Sequence, residues 1–197
     1  LIRWQGQGLS INIAINIAAE LLSDLDFPDR LSAKIDAAGL RPSDFIFEVT
    51  DSSVLKGSSD PLEVLARLRI KGFGLSIDDF GTGHSNIDQL KKFPFSELKI
   101  DRSFVQGARN DNLSRAIVDA AVMLGRELNM QLVAEGVETP DDWNFVARHG
   151  VDEVQGFYVA KPMPADDFQK WYGENGGVFS APEGLNSDCD KRQVAHV

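Results

Sequence analysis

The chain has 197 residues, 43% of them hydrophobic and 25% charged, the composition of a globular protein long enough to bury a core and, by default, of one domain. Thirty acidic against twenty basic residues leave a formal charge of −10, the wrong sign for gripping a nucleic-acid polymer, so any anionic ligand needs cations to offset the field. The lone cysteine, Cys189, excludes an internal disulfide, and no apolar run approaches the roughly 18 residues of a membrane span, so a cytoplasmic location is expected.

Leu1-Ile2-Arg3-Trp4 reads as the end of a helix, with a turn at Gly8 into a first strand, Ser10–Asn16. Side chains alternate along a strand, so Ile11, Ile13 and Ile15 share one face and Asn12 and Asn16 the other. Asn16 then offers an amide oxygen to a cation, or it caps the helix predicted over Ala18–Ala38. In the second strand, Asp44–Thr50, Glu48 points opposite to Phe45 and Phe47 and requires a partner, either a cation or a buried ion pair with Lys99 or an arginine. Asp51 follows in the loop, where capping is the simpler role.

After a helix over Pro61–Lys71, the strand Phe73–Asp79 ends on Asp78 and Asp79, ahead of the flexible Gly81-Thr82-Gly83. Adjacent carboxylates repel unless a cation or a shared proton lies between them. A helix over Ser85–Lys92 leads to the strand Glu97–Asp101, where Lys99 sits between outward Leu98 and Ile100 and so carries its charge inward. Such a lysine is a structural counter-ion or a group that orients a phosphate or a water. The helix Leu113–Asn129 precedes the strand Met130–Glu135, whose last residue is a ligand or base candidate, while Glu138 anchors a loop or caps the helix Pro140–His149. Asp152–Gln155 is the sixth strand, with Gln155 as an oxygen donor or a structural amide, and a helix over Pro164–Gly173 closes the set. Residues 1–173 form the domain, and 174–197, without period and rich in Gly, Ser and charge, are expected to be a mobile tail.

Alternating strands and helices imply a parallel sheet, either a closed barrel or an open doubly wound sheet. Six strands fall short of the eight in the usual barrel of about 250 residues, so two units are expected upstream. Five of the six strands carry Asn, Glu or Asp at the same end, and His84, His149 and His196 stand apart from them. Oxygen donors without His or Cys suit Mg²⁺ or Mn²⁺ rather than zinc, and two such ions roughly 3.5–4 Å apart are a device for hydrolysing phosphate esters.

Together the motifs resemble the EAL family of bacterial cyclic di-GMP phosphodiesterases, from about Trp4 to about Trp171. They are Ile15-Asn16-Ile17-Ala18-Ala19, Phe47-Glu48-Val49-Thr50-Asp51, Ile77 to Gly83, Leu98-Lys99-Ile100-Asp101 continuing to Val105, Val133-Ala134-Glu135-Gly136-Val137-Glu138-Thr139, and Gln155-Gly156-Phe157 with Lys161-Pro162. The resemblance implies an α/β, TIM-like (β/α)8 barrel of the EAL type, with about six of its eight strand-helix units in this chain. It implies hydrolysis of cyclic di-GMP to linear pGpG with two Mg²⁺ or Mn²⁺ ions, in a homodimer carrying an upstream receiver, sensory or GGDEF domain. By position, the metal ligands are Asn16, Glu48, Asp78, Asp79 and Glu135, the last also the proposed base, and Lys99 contacts the catalytic water. Gln155, Glu138 and Asp51 support the metals and the loop Phe80–Asn86, and Asp101, Lys161 and Pro162 lie on the substrate side.

Three departures stand out. The namesake Glu-Ala-Leu is absent from the chain, and its place is expected about 75 residues before Asn16, in the missing units. Asp51 replaces the usual glutamate, shortening the tether of the loop, and His84 stands where tyrosine is usual. The competing expectation is a non-catalytic cyclic di-GMP receptor that signals through a protein partner.

Overall fold

A computed structural model describes residues 1–50, 61–82 and 87–175. Asp51, His84 and nearly all of the expected tail lie outside these residues. By contact density the chain divides into two halves, Leu1–Lys99 and Ile100–Val197.

The first half opens with a short helix α1 (Ile2–Gln5), followed by strand β1 (Ile13–Asn16). The continuous helix expected from Ala18 is instead a 3-10 segment, Ala19–Ser23, and a separate helix α2 (Phe27–Ala37). Pro28 explains the break, because proline suits the first turn of a new helix and not the interior of an old one. Strand β2 (Phe45–Thr50), helix α3 (Pro61–Ile70), strand β3 (Gly74–Phe80) and helix α4 (Ile87–Lys92) lead to strand β4 (Glu97–Ile100), which crosses the boundary between the halves. Their order in the sheet is the order of the chain, and β1–β2 and β2–β3 are parallel.

Alternation decides what the two faces of this sheet do. Leu75 and Ile77 of β3 and Phe47 and Val49 of β2 are buried with Val64, Leu65 and Leu68 of α3. Phe47 packs edge-on against Phe73 at 5.5 Å and Phe27 at 6.4 Å between ring centroids. The opposite face is polar. The register pairs Asn16 with Glu48 and Glu48 with Ser76, one polar row across three strands, and pairs Thr50 with Asp78 in the next row.

The second half continues from the end of β4 into α5 (Arg102–Gly107), a short helix absent from the sequence expectation. Asp101 caps it, accepting from the Ser103 N–H at 2.9 Å and from the Ser103 hydroxyl. Helix α6 (Asn112–Glu127) is capped by Asp111, strand β5 (Gln131–Ala134) pairs in parallel with β6 (Glu153–Val154), and α7 (Pro140–Arg148) joins them. Helix α8 (Ala165–Glu174) follows. Thr139 and Asp142 form a reciprocal capping box that starts α7 at Pro140.

Candidate active site

In the first half, the polar row of the sheet becomes a charged cluster. Lys99 Nζ donates to Glu48 Oε1 at 2.7 Å and lies 3.5 Å from Asp78 Oδ1. The lysine side chain is 4% exposed and the glutamate 7%, so the ammonium and the carboxylate are held out of water and each needs the other. The ion pair anticipated for Glu48 is therefore present, with Lys99 as its partner. Asn16, paired in register with Glu48, is exposed at the end of β1. It does not cap a helix: Ala18 holds the N-cap position of the 3-10 segment, with no side-chain bond.

Asp78, two residues beyond Ser76 and opposite Thr50, shares the face of Glu48, and Asp79 follows it at the strand end, both half-buried. The Asp79 N–H donates to Asp78 Oδ1 at 3.0 Å, and Asp79 adopts φ 58°, in the left-handed region that few residues other than glycine enter. The Thr82 N–H and hydroxyl both donate to the Asp79 carbonyl, at 3.2 and 3.0 Å, and hold that turn in place. Backbone strain maintained by specific bonds is characteristic of functional positions.

Below Lys99 on the same strand lies Glu97, which the motif argument did not single out. It is 3% exposed, beside Ser76 at 0%. Burial pushes the Glu97 carboxyl above its usual range, with Ser76 and Lys99 pulling it partly back. Alternation carried a signal for it, since Glu97 and Lys99 are two residues apart and share a face.

In the second half, Glu135 follows β5 and its N–H donates to the Ile100 carbonyl at 3.0 Å. Glu138 is exposed, with its own N–H directed to Asp142 at 3.3 Å. The side-chain carbonyl of Gln155 is buried without a partner among the described residues. Lys161 is exposed and lies 6.0 Å from the ring centroid of exposed Phe157, with exposed Pro162 beside it in sequence. Asp101 is engaged as the cap of α5.

The chemistry of the donors fits hard divalent cations. Glu48, Asp78 and the Asn16 amide supply oxygen only, on one face of the sheet in the first half, with Asp79 next to Asp78 at the strand end and Lys99 set against Glu48 and Asp78.

The profile of the EAL domain matches residues 1–162. The bifunctional diguanylate cyclase/cyclic di-GMP phosphodiesterase MucR of Pseudomonas aeruginosa is 43% identical over 155 residues, covering 79% of this chain and 23% of that protein. The solved PaMucR phosphodiesterase in complex with c-di-GMP superposes with a TM-score of 0.77 at 41% identity, over 85% of this chain and 68% of that one. The manganese/cy-diGMP complex of Klebsiella pneumoniae BlrP1 gives 0.71 at 34% identity, over 77% and 39%. The chain thus spans about a quarter of the length of MucR. These likenesses fix the fold class as α/β, the TIM-like barrel of EAL domains, with six of its parallel strands among the described residues.

Proposed function

Because this chain belongs to the EAL domain family, we propose that the protein is a phosphodiesterase that hydrolyses cyclic di-GMP to linear pGpG with two Mg²⁺ or Mn²⁺ ions. The observation that carries the reading is the buried Lys99–Glu48 pair with Asp78 alongside, on the sheet face that also carries Asn16, Ser76 and Thr50. Asn16, Glu48, Asp78, Asp79 and Glu135 hold the ions in this proposal. When bound, the ions offset the phosphate charge and ease attack by water at phosphorus.

The remaining chemistry falls to the chain's own side chains. Lys99, kept cationic by its carboxylate neighbours, orients the attacking water and a phosphate oxygen. Glu135 accepts the proton of that water, and the leaving ribose oxygen takes up a proton as the ester bond breaks. Lys161, Pro162 and Asp101 contact the nucleotide, with Lys161 supplying positive charge in a protein of net −10. Gln155, Glu138 and Asp51 support the site and its loop. The protein acts in the cytoplasm as a homodimer with an upstream receiver, sensory or GGDEF domain. No helix among the described residues is long and apolar enough to cross a membrane.

The test is incubation of the full-length protein with cyclic di-GMP and Mg²⁺ or Mn²⁺, with separation of the products. Accumulation of pGpG is expected, and Lys99→Met and Glu135→Gln reduce the rate by at least about a hundredfold. Nucleotide binding without turnover would replace this reading with a receptor.

A further inference from the structure

The segment from Glu135 to Thr139 is held more completely than a loop after a strand requires. Three of its bonds extend the strand pairing: Glu135 N–H to the Ile100 carbonyl, Val137 N–H to the Gln155 carbonyl, and Tyr158 N–H to the Val137 carbonyl, all at 3.0 Å. The others come from side chains on two helices. Asp142 of α7 accepts through Oδ2 from the N–H of Glu138 at 3.3 Å, the N–H of Thr139 at 2.9 Å and the Thr139 hydroxyl at 2.7 Å. Gln106 of α5 donates from Nε2 to the Gly136 carbonyl at 2.9 Å.

The capping box of α7 accounts for the Asp142 bonds. The Gln106 bond has no such local explanation, because Gln106 is exposed and reaches thirty residues along the chain to a single carbonyl. That carbonyl belongs to the peptide between Gly136 and Val137, whose N–H is already fixed by Gln155. Gln106 therefore locks the second side of this plane. The residue before it, Gly136, has φ +64°, and a Cβ there would overlap Arg102 of α5, so helix and loop meet at backbone distance. A glycine between Glu135 and the locked plane would otherwise let the glutamate backbone turn freely. With the Glu135 N–H fixed on one side and the 136–137 plane on the other, that freedom is removed.

We infer that Gln106 is a positioning residue, whose amide presets the backbone of Glu135 so that its carboxylate is ready for a divalent cation. This rests on the metal-dependent reading above. The test uses the full-length protein without nucleotide and compares Gln106→Met, which keeps the length and loses the donor, with Gln106→Lys, which keeps a donor. Three quantities are read: Mn²⁺ affinity by calorimetry, exchange of the Val137 amide hydrogen, and the metal-free Tm. Gln106→Met is expected to lose about fivefold in Mn²⁺ affinity and to exchange Val137 faster, with Tm within about 2 °C of the parent. Gln106→Lys is expected to stay within about twofold of the parent in both. Unchanged Mn²⁺ affinity in Gln106→Met, with or without a fall in Tm, overturns the positioning role while leaving the phosphodiesterase reading standing. Failure of the parent protein to bind Mn²⁺ overturns both.

Discussion

With Nζ 2.7 Å from Glu48 and 3.5 Å from Asp78, Lys99 spreads one positive charge over two carboxylates in a nearly dry setting. Removing one member of a buried pair leaves the other uncompensated, which costs more than the pair is worth. Lys99→Met is accordingly expected to lower the unfolding free energy of the metal-free protein by about 3 kcal/mol in urea denaturation, and saturating Mn²⁺ recovers part of the loss. Glu97 behaves in the opposite sense. Burial raises its carboxyl pKa in the folded protein, so the folded state keeps a proton that the unfolded chain gives up from about pH 4.5 upward. Stability therefore falls as pH climbs from the unfolded value to the raised one and is flat beyond it. Glu97→Gln removes that proton linkage, with Lys99, Glu48 and Asp78 as the charged neighbours left in place. Its advantage in Tm over the parent should be near zero at about pH 4 and grow toward neutrality. Parallel Tm curves for the two proteins would refute this.

Two glycines separate close approach from backbone conformation as reasons for a missing side chain. A Cβ at Gly156, after β6, would overlap the Val137 backbone, which cannot yield without breaking the bonds that continue the strand pairing. Gly39, after α2, has φ +71° with nothing within 4 Å of a built Cβ. Gly156→Ala should therefore cost about 3 kcal/mol and Gly39→Ala about 1 kcal/mol, as read from urea midpoints. At this scale the sequence was informative where periodicity was long. Phe45 to Thr50 alternates strictly, and β2 lies within one residue of its expected start. The continuous helix from Ala18 failed because apolar spacing persists across Asp24–Pro28 while proline forces a restart. Helix α5 escaped notice because six residues hold less than two turns of pattern, although Asp101 and Ser103 carried a capping signal. Of the charged cluster, Glu48 and Lys99 were legible as inward charges and Asp78 as a strand-end acid. Glu97 shares the face of Lys99 by the same alternation, but it opens its strand ahead of the motif that begins at Leu98, so the motifs did not single it out.

Over the whole molecule, thirty acidic and twenty basic residues set a field that repels a doubly charged nucleotide. In the proposed mechanism, divalent cations at the site would reverse that field locally. Chelation with EDTA is therefore expected to weaken cyclic di-GMP binding by the full-length protein about tenfold or more, measured by calorimetry, and added salt in EDTA should weaken it no further, since screening also dampens the repulsion. Retained affinity in EDTA would mean that the chain's own cations suffice. The barrel is also a property of this scale that six strands could not decide, since an open sheet satisfies the same alternation; ordered motifs, and then superposition on a solved EAL structure at a TM-score of 0.77, decided it.

The left-handed backbone of Asp79 has a consequence for how this position can vary. Aspartate, asparagine and glycine tolerate that conformation, whereas alanine and glutamate do not adopt it readily. Of the three, only aspartate brings a negative oxygen. Two independent filters, one on shape and one on charge, thus leave a single amino acid. Asp79→Asn should pass the first and fail the second, preserving the melting temperature while abolishing the charge, whereas Asp79→Ala fails both.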